Sequence, residues 1–397
     1  MIGDGWDEAP SVRPSSGEGS GDGGGASERR RVLVVTGSRA EFGLLRPVMY
    51  AVHREPSLEL AVVAAGSHLI LPAETFREVK AEFKIADIVP MQVAGRTGRD
   101  EDVESVARGI ARFGRVFTKL RPDWVVVLGD RIEAFAAATA ASIGGFSLVH
   151  IHGGDRAEGV SDEAMRHAIS KLAHVHFAAT EQSAERLRRM GERPECVIVS
   201  GSSAVDGLAA VPVLDDAAFA ELGSPRTVML MHPIGRASEI EEADAARVLA
   251  AIGVEGVLAL APNHDPGRNG IVQAIEEWGG RTLDHLPRDR FVGLLKRLAS
   301  AWGVLVGNSS AGLIEAAVLG VPVVDIGRRQ GGRERPAGVV HVDGLDESGL
   351  KRAMEAARAA SGQPHPYGDG HAGDRIAAAL GRVDPRDPAL LRKRNTY

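Results

Sequence analysis

Short, β-branched apolar runs alternate with longer Ala-rich amphipathic stretches along almost the whole chain, and this alternation restricts the fold more than any other feature. A first set comprises Val32–Val35, Leu60–Ala64, Trp124–Leu128, Leu148–Ile151, Val175–Ala178 and Val197–Val199. After a polar, Pro-containing stretch around 211–225, a second set follows: Val228–Met231, Val257–Leu260, Arg281–Leu283, Val304–Val306, Val321–Ile326 and Val339–Val342. Near-continuous apolar strands separated by helices call for parallel sheets covered on both faces. The repeat of that pattern predicts an α/β protein of two doubly wound, Rossmann-like domains, with ligands bound where strand C-terminal ends face the gap between them.

The length of 397 residues, 44% of them hydrophobic, suits two domains. Residues 29–207 are expected to form the first domain, 208–375 the second, and 376–397 a C-terminal helix and tail. Residues 1–28, rich in Gly, Ser, Pro and acids, cannot bury enough surface to offset ordering entropy and read as a disordered tail. The formal charge of −6 and scattered basic residues argue against a nucleic-acid partner. One cysteine, Cys196 in an apolar context, excludes an intrachain disulfide framework and is expected to be buried in a strand. The chain lacks a secretory-type apolar block and a stretch of the ~20 apolar residues that a membrane span needs, so a cytoplasmic location is expected.

Functional signals gather at strand ends. Gly307-Asn308-Ser309-Ser310-Ala311-Gly312-Leu313-Ile314-Glu315 follows an apolar run and opens a helical pattern. The first helical N–H groups and the dipole there favour a phosphate, while Glu315, further along, can accept from ligand hydroxyls; simple capping by Ser309 or Ser310 is the competing explanation. Thr36-Gly37-Ser38-Arg39-Ala40-Glu41 is another strand–turn–helix start without a dinucleotide G-x-G-x-x-G, and Arg39 at its tip is a planar fork suited to phosphate. Gly129-Asp130-Arg131 sets an acid and a base at a strand end, although Asp130 with Glu133 also reads as a capping box.

His150-Ile151-His152-Gly153-Gly154-Asp155-Arg156 gathers titratable groups on a glycine loop, with both histidines expected on one strand face. Their spacing matches no zinc motif, and no metal site is expected. In the following helix, with Asp162 at the mouth of the loop, Met165, Ala168, Ile169, Leu172 and Val175 are expected to form the buried stripe, leaving Arg166, Ser170 and Lys171 on other faces. In the second half, His232-Pro233, Asn263 to Asp265, and the Gly327 to Arg333 stretch with its three guanidiniums end successive strands. Arginines beside a Ser-Ser helix start point to a polyphosphate.

The order of these motifs over roughly residues 31 to 345 resembles the hydrolysing UDP-N-acetylglucosamine 2-epimerases of sialic and legionaminic acid pathways. The carrying residues are Thr36 to Glu41, Gly129 to Arg131, His150 to Gly154, Asp162 to Lys171, His232-Pro233, Asn263 with Asp265, Gly307 to Glu315 and Gly327 to Arg333. The resemblance implies the GT-B-like two-lobed fold, an interdomain site, a homodimer or homotetramer, and no cofactor. It implies nucleotide-sugar contacts at Arg39, Arg131, Asp206, Asn263, Ser309, Ser310, Gly312, Glu315, Arg329 and Gln330, with Glu315 on the ribose. It implies catalytic roles for Asp130 and Asp162 as carboxylates, His232 by the diphosphate, and His152 and Asp155 near the sugar. The implied reaction eliminates UDP across C1 and C2 and adds water to the resulting glycal. The chain departs from the family pattern at Asp155, usually Glu, at Arg156, usually a small hydroxyl residue, and at Gly201-Ser202-Ser203-Ala204, usually Gly-Ser-Pro-Gly. A glycosyltransferase of the same architecture using a UDP-sugar donor, a non-hydrolysing 2-epimerase that keeps UDP attached, and a catalytically silent nucleotide-sugar binder are the rival readings.

Overall fold

In β1 (Arg30–Thr36) the consecutive residues Val32, Leu33, Val34 and Val35 are all fully buried, which only a strand covered on both faces achieves. The alternation shows how. Val32 and Val34 join a core formed with Phe42, Leu45 and Met49 of the helix Arg39–Arg54, whereas Leu33 and Val35 join a second core with Phe113, Phe117 and the alanines of the helix Ile132–Ile143. The second half repeats this: Val228 and Leu305 face one core, Met229, Val304 and Val306 another.

The computed structural model describes residues 29–71, 75–96, 98–156, 163–263, 265–343, 346–362 and 364–396; the expected tail at 1–28 lies outside them. The first sheet is built from β1, β2 (Leu58–Ala65), β3 (Ile85–Val89), β4 (Trp124–Leu128), β5 (Ser147–Ile151), β6 (Val175–Ala178) and β7 (Val197–Val199). Its seven strands run in the order β3-β2-β1-β4-β5-β6-β7, all parallel. The second sheet has six, β8 (Thr227–Leu230), β9 (Val257–Leu260), β10 (Arg281–Leu283), β11 (Val304–Gly307), β12 (Val323–Ile326) and β13 (Val339–Val342), in the parallel order β10-β9-β8-β11-β12-β13. Each order reverses once, at β1/β4 and at β8/β11, and a doubly wound sheet opens its ligand crevice at that reversal. The two reversals are followed by the Thr36, Gly129, Met231 and Gly307 turns, which carry the motifs.

One strand escapes the sequence pattern. β3 is an edge strand with Asp87 in its middle and Ile88 exposed, so it lacks a continuous apolar run. Cys196 is buried as expected, but it closes a short 3-10 turn just before β7 and does not lie in the strand. At the C-terminal end, the helix Ala372–Arg382 returns to the first sheet: Ile376, Ala377, Ala379 and Leu380 complete the core beneath β1 and the helix Arg39–Arg54. The two segments that pass between the sheets touch at Gly201 and Gly368. A Cβ on Gly368 would lie 2.9 Å from the Gly201 Cα, and the Ser202 N–H donates to the Tyr367 carbonyl at 2.9 Å.

Candidate active site

In the second lobe the chain turns sharply at the end of β8, and the His232 ring is trapped there. Its Nδ1 accepts the Asn263 N–H at 3.1 Å, which leaves the proton of a neutral ring on Nε2, 3.3 Å from Ser309 Oγ. Burial drives its pKa down to about 3, with the Arg329 charge adding to the effect, so the ring is neutral at physiological pH. Asn308, at the end of β11, binds the His232 backbone through both amide atoms of its side chain. The Asn308 carbonyl in turn accepts from Gln330 Nε2 at 3.0 Å and Arg329 Nη1 at 3.3 Å. Asn263 Nδ2 donates to Asp265 at 2.5 Å, and Arg329 lies 4.0 Å from the same carboxylate. The structure thus brings together His232, Asn263, Ser309, Arg329 and Gln330 at the reversal of the second sheet, with Ser310 beginning the helix that spans 310–318.

That helix contains a π turn, Gly312–Ala316, a rare geometry that recurs at functional sites. Gly312 packs against the sheet, where a Cβ would meet Val323 Cγ1 at 3.1 Å. Glu315 pairs with Arg288 at 3.3 Å, and Arg288 also donates to the Ala204 carbonyl at 2.8 Å. Arg288 carried no signal in the sequence.

In the first lobe Asp130 follows β4, and Arg166 Nη2 donates to its Oδ2. Arg166 and Ser170 were expected on faces of their helix other than the buried stripe; both are buried instead. Arg166 turns inward to Asp130, and Ser170 Oγ lies 3.1 Å from His150 Nδ1. A pattern that counts only apolar residues misses an inward polar face. Burial, with Arg333 nearby, brings Arg166 down to about 9, still a cation near neutrality.

The two histidines also part company. His150 sits within β5 and its Nε2 lies 2.8 Å from the Gly129 carbonyl, whereas the strand stops at Ile151 and His152 adopts φ +63°. This left-handed turn is costly for a side chain larger than Asn. It directs His152 Nδ1 to 3.2 Å from Asp155 and Nε2 to 3.2 Å from Ser202 Oγ. Asp155 further accepts from Ser183 Oγ at 2.8 Å and lies 3.9 Å from Arg166 and 4.0 Å from Arg333. Burial raises its pKa, but the contacts with His152, Arg333 and Ser183 overcome this and hold it below the usual range.

Three side chains join the lobes around this cluster. Arg186 donates to the carbonyls of Gly154 and Gly332, each at 3.1 Å; Thr180 Oγ1 donates to Glu334 at 2.8 Å; and Arg39 reaches His285. Arg131 is partly exposed, with its Nε 3.7 Å from Glu133. Asp206 stands apart: its carboxylate accepts the Ala372 and Gly373 N–H groups at 2.9 and 2.7 Å, at the start of the returning helix. Asp162 lies outside the described residues. Among the described residues no cluster of metal-ligating side chains occurs, and no helix is long and apolar enough to cross a membrane.

A family model described as UDP-N-acetylglucosamine 2-epimerase matches residues 50–381. The chain is 33% identical to the UDP-N,N'-diacetylbacillosamine 2-epimerase (hydrolyzing) of Legionella pneumophila, over 93% of this chain and 100% of that protein. It is 32% identical to the UDP-N-acetylglucosamine 2-epimerase of Neisseria meningitidis, over 79% of this chain and 84% of that protein. The fold is shared with the Neisseria meningitidis UDP-GlcNAc 2-epimerase solved bound to UDP-GlcNAc, at TM-score 0.73 and 20% identity, covering 89% of this chain and 100% of that one.

Proposed function

Because this chain belongs to the UDP-N-acetylglucosamine 2-epimerase family, we propose that it is a hydrolysing 2-epimerase, releasing UDP and the 2-epimer of an N-acetylated sugar from a UDP-activated donor. The observation that carries the reading is the pairing of a neutral His232 and Ser309 at one sheet reversal with Asp130, held by Arg166, at the other. On this reading the first is a phosphate seat and the second a candidate base.

The chemistry follows from weak acidity at C2. A carboxylate removes the C2 proton as the C1–O bond to UDP breaks, and the electron pair forms the C1=C2 double bond of a glycal. Asp130 and Asp162 are the two candidate bases. Charge growing on the departing diphosphate is met by the His232 Nε2–H, Ser309, the start of the helix spanning 310–318 and Arg329, groups already fixed by hydrogen bonds. Water then adds its oxygen at C1 and a proton at the opposite face of C2, so one water is consumed for each UDP released.

The test is proton NMR of the purified protein in deuterated water with UDP-N-acetylglucosamine and, separately, UDP-N,N'-diacetylbacillosamine. Free UDP with a 2-epimer deuterated at C2 is expected. An epimer that still carries UDP, or an intact donor consumed only when an acceptor is added, refutes the hydrolysing reading. Gel filtration with light scattering tests the homodimer or homotetramer that the resemblance implies.

A further inference from the structure

Beneath the Asp130 turn lie two carboxyl groups that the chemistry above does not use. Glu41 is in the first turn of the helix Arg39–Arg54 and Glu133 in the first turn of the helix Ile132–Ile143, so they descend from the two helices that follow β1 and β4. They are 4% and 0% exposed. Glu41 Oε2 accepts the Gly37 N–H at 2.7 Å, and Glu133 Oε1 accepts the Ser67 N–H at 3.3 Å. The second oxygen of each is buried with no hydrogen-bond partner. The Glu133 side chain lies directly over Gly37 and Gly66, where an added Cβ would come within 2.5 and 2.3 Å of it. The pair therefore fills the space between three turns, those of Gly37, Gly66 and Asp130.

Few charges face it. Glu133 and, from the turn before it, Arg131 approach from one side, with Arg131 Nε 3.7 Å from Glu133. From the Gly66–Leu69 turn comes His68, whose ring is engaged by Thr36 and Thr75 at 2.9 and 2.8 Å and is drawn by burial to about 4, hence neutral. Arg39, on the helix that carries Glu41, turns away to His285 and Glu78. Two carboxylates facing one cation in a dry site would leave an anion uncompensated, at high cost, while two bare oxygens lack a donor.

We propose that the buried Glu41 carboxyl keeps its proton near neutral pH beside Glu133 and that the two act as positioning residues, clamping the Asp130 turn to the Arg39 turn until loss of that proton releases it. Burial first, and repulsion from Glu133, raise Glu41 to about 8 despite the opposing Gly37 N–H and Arg131. The consequence for activity rests on the epimerase reading; the protonation itself does not.

The experiment is difference infrared spectroscopy of the full chain across a pH titration, paired with initial rates of UDP release. The carbonyl stretch of a protonated carboxyl is expected near neutrality, disappearing with a midpoint of about 8 in wild type and absent from Glu41→Gln. Wild-type kcat/KM then falls about tenfold per pH unit above that midpoint, and Glu41→Gln, a mimic of the protonated acid, loses that alkaline limb. If Glu41→Gln does not fold, Glu133→Gln replaces it, and removal of the neighbouring charge lowers the midpoint. A spectrum with no protonated carboxyl near neutrality, a band that survives Glu41→Gln, a midpoint unmoved in Glu133→Gln, or an alkaline limb identical in Glu41→Gln and wild type overturns the proposal. An inactive protein with the expected infrared titration counts against the epimerase reading alone.

Discussion

Asn308 and His232 grip one another reciprocally: the His232 N–H donates to Asn308 Oδ1 at 2.7 Å, and Asn308 Nδ2 donates to the His232 carbonyl at 2.8 Å. This closed pair ties the end of β8 to the end of β11 where the second sheet reverses. It sets the height of the imidazole relative to Ser309, and so the geometry of the phosphate seat proposed above.

Asn308→Ala breaks both bonds and leaves two backbone groups without their partner. A loss of about 1–3 kcal/mol in stability is expected, with UDP binding weakened by about tenfold, measured by urea unfolding and calorimetry.

His232 is expected to stay neutral, with its proton on Nε2, throughout the range from mildly acidic to neutral pH. Its buried ring titrates only near 3. Nitrogen-15 NMR of histidine-labelled protein reads both tautomer and charge; a ring protonated at neutral pH in the free protein contradicts the hydrogen-bond assignment.

Asp130→Asn keeps the shape of the turn but removes the carboxylate facing Arg166. We predict a fall of about 10²–10⁴ in kcat, with UDP affinity changed by less than about threefold because the nucleotide seat lies in the other lobe. Wild-type turnover removes Asp130 from the mechanism.

Stability should depend on Glu41 with a definite sign. The folded chain holds this proton to about 8, whereas the unfolded side chain releases it at 4.5, so between these values the folded state binds more protons and wild-type stability falls as pH rises. Glu41→Gln lacks this slope. Across the window it should gain on wild type by on the order of a few kcal/mol in urea titrations.

Gly307 stands at φ +150°, and a Cβ there would sit 2.0 Å from the Leu230 carbonyl oxygen. Gly307→Ala must push β8 from β11, and we expect a loss of more than about 2 kcal/mol in thermal or urea unfolding, together with loss of UDP binding.

The architecture was readable in the sequence because strands buried on both faces must be largely apolar, as β1, β4, β9 and β11 are, and the helices between them repeat the pattern. The edge strand β3 escaped for the same reason, since half of it meets solvent. The turn motifs were readable for their residue types, but not the partners that orient them. Nothing local marks Arg166 as inward, Arg288 as the partner of Glu315, or Asp206 as an anchor for Ala372 and Gly373, since each contact spans a large sequence separation. Glu133 read as a capping residue, yet its helix begins at Arg131 without a side-chain cap, and the carboxyl is drawn inside by glycines that leave room for it.

The contact of Gly201 with Gly368 means that any swing of the two lobes bends two adjoining segments at once. A single connecting segment would act as a ball joint, free to bend and twist; two segments laid side by side form a door hinge with one axis. An opening about that axis would carry His232 and Ser309 away from Asp130 along an arc instead of shearing them past it. Closure about such an axis would return His232 and Ser309 to the same alignment with Asp130, and the absence of side chains at the two glycines would let the axis pass through backbone alone.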